Sequence, residues 1–109
     1  MIRAAMKLLP RFSLAALLVL PSWAAAHSAV FDCFNETDGR VTCEGGFSDG
    51  SSAAGVPVKV LDTQDKLLLS GTIDKEGRFS FTRPSGDFRV VFDAGQGHSV
   101  TLLGSDITD

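Results

Sequence analysis

Beyond residue 27 the chain alternates between apolar and polar residues with a period of two, as in the run Val56, Val58 and Val60. A period of two places the apolar side chains on one face of a half-buried β-strand. Residues that favour turns, such as Asp-Gly and Pro-Ser-Gly, separate these runs. The pattern predicts seven short strands, near residues 28–34, 40–47, 56–61, 66–72, 77–82, 87–93 and 98–103.

The fold class follows from the spacing of these strands. No helical amphipathic window occurs outside the N-terminal segment, and short strands with regular turn signals are typical of two packed sheets. We therefore expect an all-β fold, a small immunoglobulin-like or transthyretin-like two-sheet sandwich of about seven strands.

The first predicted hairpin brings the two cysteines of the chain together. A three-residue loop at Thr37-Asp38-Gly39 pairs residue 36 with residue 40, because Gly39 suits the left-handed position of such a loop. Continuing this register outward places Cys33 opposite Cys43, at a distance that a disulfide can span. The spacing of the two cysteines is not that of a zinc knuckle, so we expect a structural disulfide.

The N-terminal segment has the layout of a secretory signal peptide. Basic residues (Arg3, Lys7 and Arg11) precede an apolar run, which ends in the small residues Ala24-Ala25-Ala26. The uncharged run over 12–26 is 15 residues long, shorter than the roughly 17 to 25 that a spanning helix needs. We expect cleavage after Ala26, which assigns residues 1–26 to the signal and residues 27–109 to one domain.

The mature chain is expected to be acidic and exported. It keeps seven basic and thirteen acidic residues, a formal charge of −6 with neutral histidines. Nucleic acid is therefore not an expected partner. No later segment is apolar enough to span a bilayer, so we expect a soluble protein of the periplasm or the extracellular space.

The two histidines, His27 and His98, carry the sharpest chemical signal in the sequence. After cleavage His27 would be the first residue and would offer a metal both its α-amino nitrogen and its imidazole. His98 follows a glycine-rich turn and opens the last strand. If the first and last strands run parallel at one edge of the sandwich, both histidines lie at the same end.

Three such nitrogens would form a T-shaped site of the histidine-brace kind, which favours Cu(II) or Ni(II). Asp93, just before the glycine-rich turn, is the nearest candidate for a fourth ligand or for a hydrogen bond to one. The simpler alternative is that His27 is a remnant of processing and His98 an exposed residue after a turn. No constellation for catalysis is expected, because Ser99 and His98 are adjacent in a strand and point to opposite faces.

Two sets of segments resemble known families. Residues 46–50, 54–60 and 71–81 resemble carboxypeptidase regulatory-like, transthyretin-like β-sandwich domains. His27, Phe47-Ser48-Asp49-Gly50 and the segment 93–98 together resemble the extracytoplasmic domain of the accessory subunit of nickel and cobalt energy-coupling-factor transporters. This second resemblance covers nearly all of the mature chain and implies a role in transition-metal uptake, with His27 and His98 as metal ligands.

These observations lead to one expected function and an alternative. We expect a non-enzymatic, soluble periplasmic protein that binds nickel, cobalt or copper through His27 and His98, with a membrane metal transporter as a candidate partner. The alternative is a structural or adhesion module that binds a protein or a glycan and in which the histidines are incidental. A mono-oxygenase built on the same three nitrogens is a third class.

Overall fold

The computed structural model describes residues 27–109, and the predicted signal peptide lies outside the described residues. All seven predicted strands are present, and each boundary lies within one residue of its expected position. They are β1 (Ala29–Asn35), β2 (Arg40–Phe47), β3 (Pro57–Asp62), β4 (Leu67–Thr72), β5 (Arg78–Thr82), β6 (Phe88–Asp93) and β7 (Ser99–Leu103), followed by one 3₁₀ turn, Gly104–Asp106.

The strands form two antiparallel sheets, which confirms the predicted all-β sandwich. The first sheet has the order β1-β2-β5 and the second the order β4-β3-β6-β7. Every strand pair within the sheets is antiparallel. Sheet edges are therefore formed by β1 and β5 in one layer and by β4 and β7 in the other.

The apolar residues of the period-two pattern fill the space between the sheets. The rings of Phe31 on β1 and Phe92 on β6 stack across this space, with centroids 4.9 Å apart. A Cβ atom added to Gly45 would lie only 2.8 Å from the Phe92 ring, so a larger residue at this position would push the aromatic pair aside. The buried apolar residues are Phe31, Cys33, Val41, Cys43, Ala53, Val58, Val60, Ile73, Phe81, Phe88, Val90, Phe92 and Ile107.

The hairpin of β1 and β2 has the predicted register and the predicted disulfide. Cys33 lies opposite Cys43, and a disulfide joins them. The backbone N–H of Glu36 donates to the carbonyl of Arg40, and Gly39 has a φ of 82°. Because only glycine adopts this backbone conformation without steric cost, Gly39 sets the loop length and with it the register.

The first and last strands lie next to each other, although they belong to different sheets. At one end the side chain of His27, just before β1, contacts that of His98, just before β7. At the other end the N–H of Asn35 donates to the carbonyl of Thr108. The two edge strands therefore run in the same direction, and their starting points lie at the same end of the sandwich.

Within residues 27–109 there is no helix of the length and apolarity required to cross a membrane.

We predict that replacing both cysteines by alanine (C33A/C43A) lowers the free energy of unfolding by roughly 2 to 3 kcal/mol, because the disulfide closes a short loop. Urea unfolding followed by circular dichroism measures the change. Reductant should destabilise the wild type and leave C33A/C43A unaffected. Equal stability of the oxidised and the fully reduced wild type would contradict the prediction.

Candidate functional site

Two hydrogen bonds hold the chain beside His27. The N–H of Ser28 donates to Ser48 Oγ at 2.8 Å, and the N–H of Ser48 donates to the carbonyl of Ser28 at 2.9 Å. These bonds continue the register of the hairpin past its last strand pair, Ala29 with Phe47. His27 is thereby placed across from Asp49.

A glycine-rich turn positions His98. Its N–H donates to the carbonyl of Gly95 at 2.9 Å. Gly95 and Gly97 have φ values of 101° and 83°, in the left-handed region that favours glycine. These conformations reverse the chain after β6, so that His98, just before β7, lies at the same end of the sandwich as His27.

The imidazole rings of the two histidines stack on each other. Their centroids are 5.1 Å apart and their planes differ by 9°. The ring of Phe47 lies edge-on to both, at 5.8 Å from the ring of His27 and 6.4 Å from that of His98. Phe47 also contacts Phe92 of the core, at 6.2 Å between centroids. Aromatic contacts therefore connect the histidine pair to the core of the domain.

One ring nitrogen of this pair has no hydrogen-bond partner. Nδ1 of His98 is shielded from solvent, and in the part of the chain that the structure describes no side chain or backbone group bonds to it. A buried polar atom without a partner costs about 1 to 3 kcal/mol. Such an atom fits a ligand position for a metal ion, because a metal would use the lone pair that no donor satisfies.

Asp49 adds a carboxylate beside the histidines. Its Oδ2 lies 3.8 Å from Nδ1 of His27, and its Oδ1 accepts hydrogen bonds from Ser51 Oγ at 2.6 Å and from Ser51 N–H at 2.9 Å. These two bonds, with a smaller contribution from the nearby His27, lower the pKa of Asp49 below its ordinary value. The carboxylate is thus held ionised and fixed in orientation.

Asp93, the carboxylate expected from the sequence, has other contacts. It lies 3.7 Å from Nζ of Lys59 and accepts hydrogen bonds from the N–H of Gly95 and from Ser99 Oγ. These contacts order the turn that leads to His98. Among residues 27–109 no hydrogen bond or ion pair joins Asp93 to either imidazole.

His27, His98 and Asp49 lie at one end of the sandwich, but their nitrogen and oxygen atoms do not surround a common point. The described residues contain no cluster of three or more histidine, cysteine or acidic side chains with the spacing of a metal site. The lone pair of an imidazole nitrogen lies in the plane of its ring, so two stacked rings cannot both bind one ion. At least one ring must turn before His27 and His98 could share a metal.

Comparison of the chain with protein-family models, with curated proteins and with solved structures finds no match. The family resemblance inferred from the sequence therefore stays a prediction.

We predict that Ser51→Ala raises the pKa of Asp49 towards its ordinary value, because the side-chain hydrogen bond from Ser51 is the largest cause of the lowered value. Titration of the carboxyl carbons by NMR measures this pKa. Asp62 provides the control, since its pKa is lowered by the N–H groups of Lys66 and Gln64 and should not change. An unchanged pKa of Asp49 in the variant would contradict the assignment.

The lowered pKa of Asp49 also has a defined effect on stability. A carboxyl whose pKa is lower in the folded state stabilises the fold above its unfolded-state pKa, and this stabilisation is lost as the pH falls through the folded-state value. The free energy of unfolding should therefore differ less between neutral and strongly acidic pH in Ser51→Ala than in the wild type.

Proposed function

We propose that this chain is a non-enzymatic periplasmic protein that binds a transition-metal ion, namely nickel, cobalt or copper, through His27 and His98. The observation that carries the proposal is the contact between the two imidazoles, together with the buried Nδ1 of His98, which has no hydrogen-bond partner among residues 27–109. Imidazole is a preferred ligand of these metals. A bound ion would satisfy this nitrogen, to which no group in the described part of the chain is bonded.

Removal of the signal peptide after Ala26 would complete the site. Cleavage there frees the α-amino group of His27, and this amine and Nδ1 of the same residue can bind one ion in a six-membered chelate ring. With a nitrogen of His98 the protein then offers three nitrogen donors. The hydrogen bonds between Ser28 and Ser48 limit the movement of the chain beside the amine, which reduces the entropy lost on binding.

Two further features of the sequence support a role in metal uptake or carriage. The formal charge of the mature chain, −6, favours association with cations. The resemblance to the accessory subunit of nickel and cobalt transporters links such a domain to a membrane transporter. We infer that the protein holds its metal outside the cytoplasmic membrane and passes it to a membrane transporter.

Isothermal titration of Ni(II), Co(II) and Cu(II) into protein that begins at His27 tests this function. We expect one metal ion per chain. His98→Ala should weaken binding by at least about tenfold, because loss of a residue that merely supports a metal ligand already lowers the affinity that much. Gln96→Ala, in the same turn, is the control and should bind like the wild type. Binding should weaken at acid pH because protons compete for all three nitrogens.

One residue added before His27 provides an independent test. The amine would then belong to the added residue, and the chelate with the His27 imidazole would be lost. We expect a large drop in affinity with an unchanged circular dichroism spectrum. Equal affinity in the extended protein would refute the N-terminal chelate, and no binding by any form would refute the function.

The alternative function, an adhesion or interaction module, is favoured by a different surface. Strand β4 is an edge strand, and its Leu67 and Leu68 side chains are exposed. Such an edge can accept a strand from another protein. If this is the function, substitution of both histidines should leave partner binding intact, whereas a charge at Leu68 should abolish it.

A further inference from the structure

We propose that Asp49 is a further ligand of the metal, so that the site has three nitrogen donors and one carboxylate oxygen and suits Cu(II). This inference rests on the proposed function and names the donor set and the metal. It also replaces Asp93, the carboxylate that the sequence suggested, with one that the structure places beside His27.

The gap between Asp49 and His27 is that of a loose ion pair and is wide enough to hold a metal ion between the two side chains. Nδ1 of His27 and Oδ2 of Asp49 are 3.8 Å apart, beyond the range of about 2.7 to 3.2 Å in which N–H groups bond to oxygen. Bonds from a divalent metal to a histidine nitrogen and to a carboxylate oxygen are each about 2.0 to 2.2 Å long. Two donors on opposite sides of one ion are thus about 4 Å apart, close to the observed gap.

The nitrogen that faces Asp49 is also the one that an N-terminal chelate requires. The amine of His27 and Nδ1 of its ring form a six-membered ring with the ion, whereas Nε2 of the same side chain points away from the amine. An ion held by this chelate would therefore lie on the side of the imidazole that Asp49 occupies.

Ser51 fixes the carboxylate in the required orientation. Both hydrogen bonds from Ser51 go to Oδ1 of Asp49, which leaves Oδ2 free to bind. The side chains of Asp49 and His27 are each about two-fifths exposed (42% and 43%), so an ion can reach the gap from solvent. A ligand held by neighbouring hydrogen bonds binds more tightly than a mobile one.

Asp93 is less suited to this role because a cation already lies beside it. Lys59 is 3.7 Å from its carboxylate and would oppose a bound metal ion. Among the described residues Asp49 forms an ion pair with His27 and with no lysine or arginine, and His27 would bind the metal in its neutral form. The charge of Asp49 is therefore available to the metal.

The resulting donor set selects among the candidate metals. Three nitrogens and one carboxylate oxygen favour a tetragonal arrangement, which suits Cu(II) and Ni(II). Of these two, Cu(II) binds nitrogen and oxygen donors more tightly. Both ions favour a planar arrangement of their donors. The His27 chelate and His98 can form such an arrangement once the ring of His98 rotates out of the stack.

Cu(II) titration of the protein beginning at His27, read by isothermal titration and by electron paramagnetic resonance, tests the assignment. We expect Asp49→Asn to weaken binding by about 10- to 100-fold and to change the spectrum, because an oxygen donor is lost. Asp93→Asn is the matched control and should leave both affinity and spectrum unchanged. Asp49→Glu keeps the carboxylate and should retain a spectrum close to that of the wild type.

The outcomes separate this inference from the proposed function. If Asp49→Asn matches the wild type while His98→Ala loses binding, the metal site stands and Asp49 is not a ligand. If Asp93→Asn weakens Cu(II) binding and Asp49→Asn does not, then Asp93, the carboxylate expected from the sequence, is the ligand and Asp49 is not. If the wild type binds no Cu(II), both the site and its proposed ligand are refuted.

Discussion

The register of the hairpin formed by β1 and β2 is the constraint on which the rest of the domain depends. It is set by the left-handed conformation of Gly39 and locked by the disulfide between Cys33 and Cys43. A shift by one residue would turn every side chain of a strand to the opposite face. The register thus decides that Phe31 and both cysteines face the core, and the same pairing, continued past the strand ends, brings His27 to Asp49.

Packing of the second sheet against this hairpin creates the rest of the site. The stack of Phe31 and Phe92 joins β1 to β6, and β7 follows β6 after a tight turn. The edge strands of the two sheets therefore lie together, with both histidines at the same end. Phe47 contacts both imidazoles and Phe92, so the position of the pair is coupled to the core and not only to two exposed loops.

Local rules were sufficient to predict the strands, the hairpin and the disulfide, because period-two alternation and turn chemistry act over a few residues. The contact between His27 and His98 could be expected only on the assumption that the first and last strands run side by side. Asp49 was missed, although the register that pairs the cysteines also pairs Asp49 with His27. Asp93 was favoured by its closeness in sequence to His98, whereas its orientation depends on Lys59, a contact between strands that no local pattern reveals. The stacking of the rings depends on side-chain rotation, which the sequence does not encode in any short motif.

The unpartnered nitrogen of His98 is an exception to the rule that buried polar atoms in the described part of the molecule are hydrogen-bonded. The core is almost entirely apolar, and among the described residues every other buried side-chain polar atom has a hydrogen-bond partner. Proteins tend to depart from such rules at functional or strained sites. Here the exception lies beside the residue that cleavage would place at the chain terminus and next to a carboxylate with one free oxygen. Most buried polar side-chain atoms have a hydrogen-bond partner, and Nδ1 of His98, which has none among the described residues, is available as a ligand in the proposed metal site.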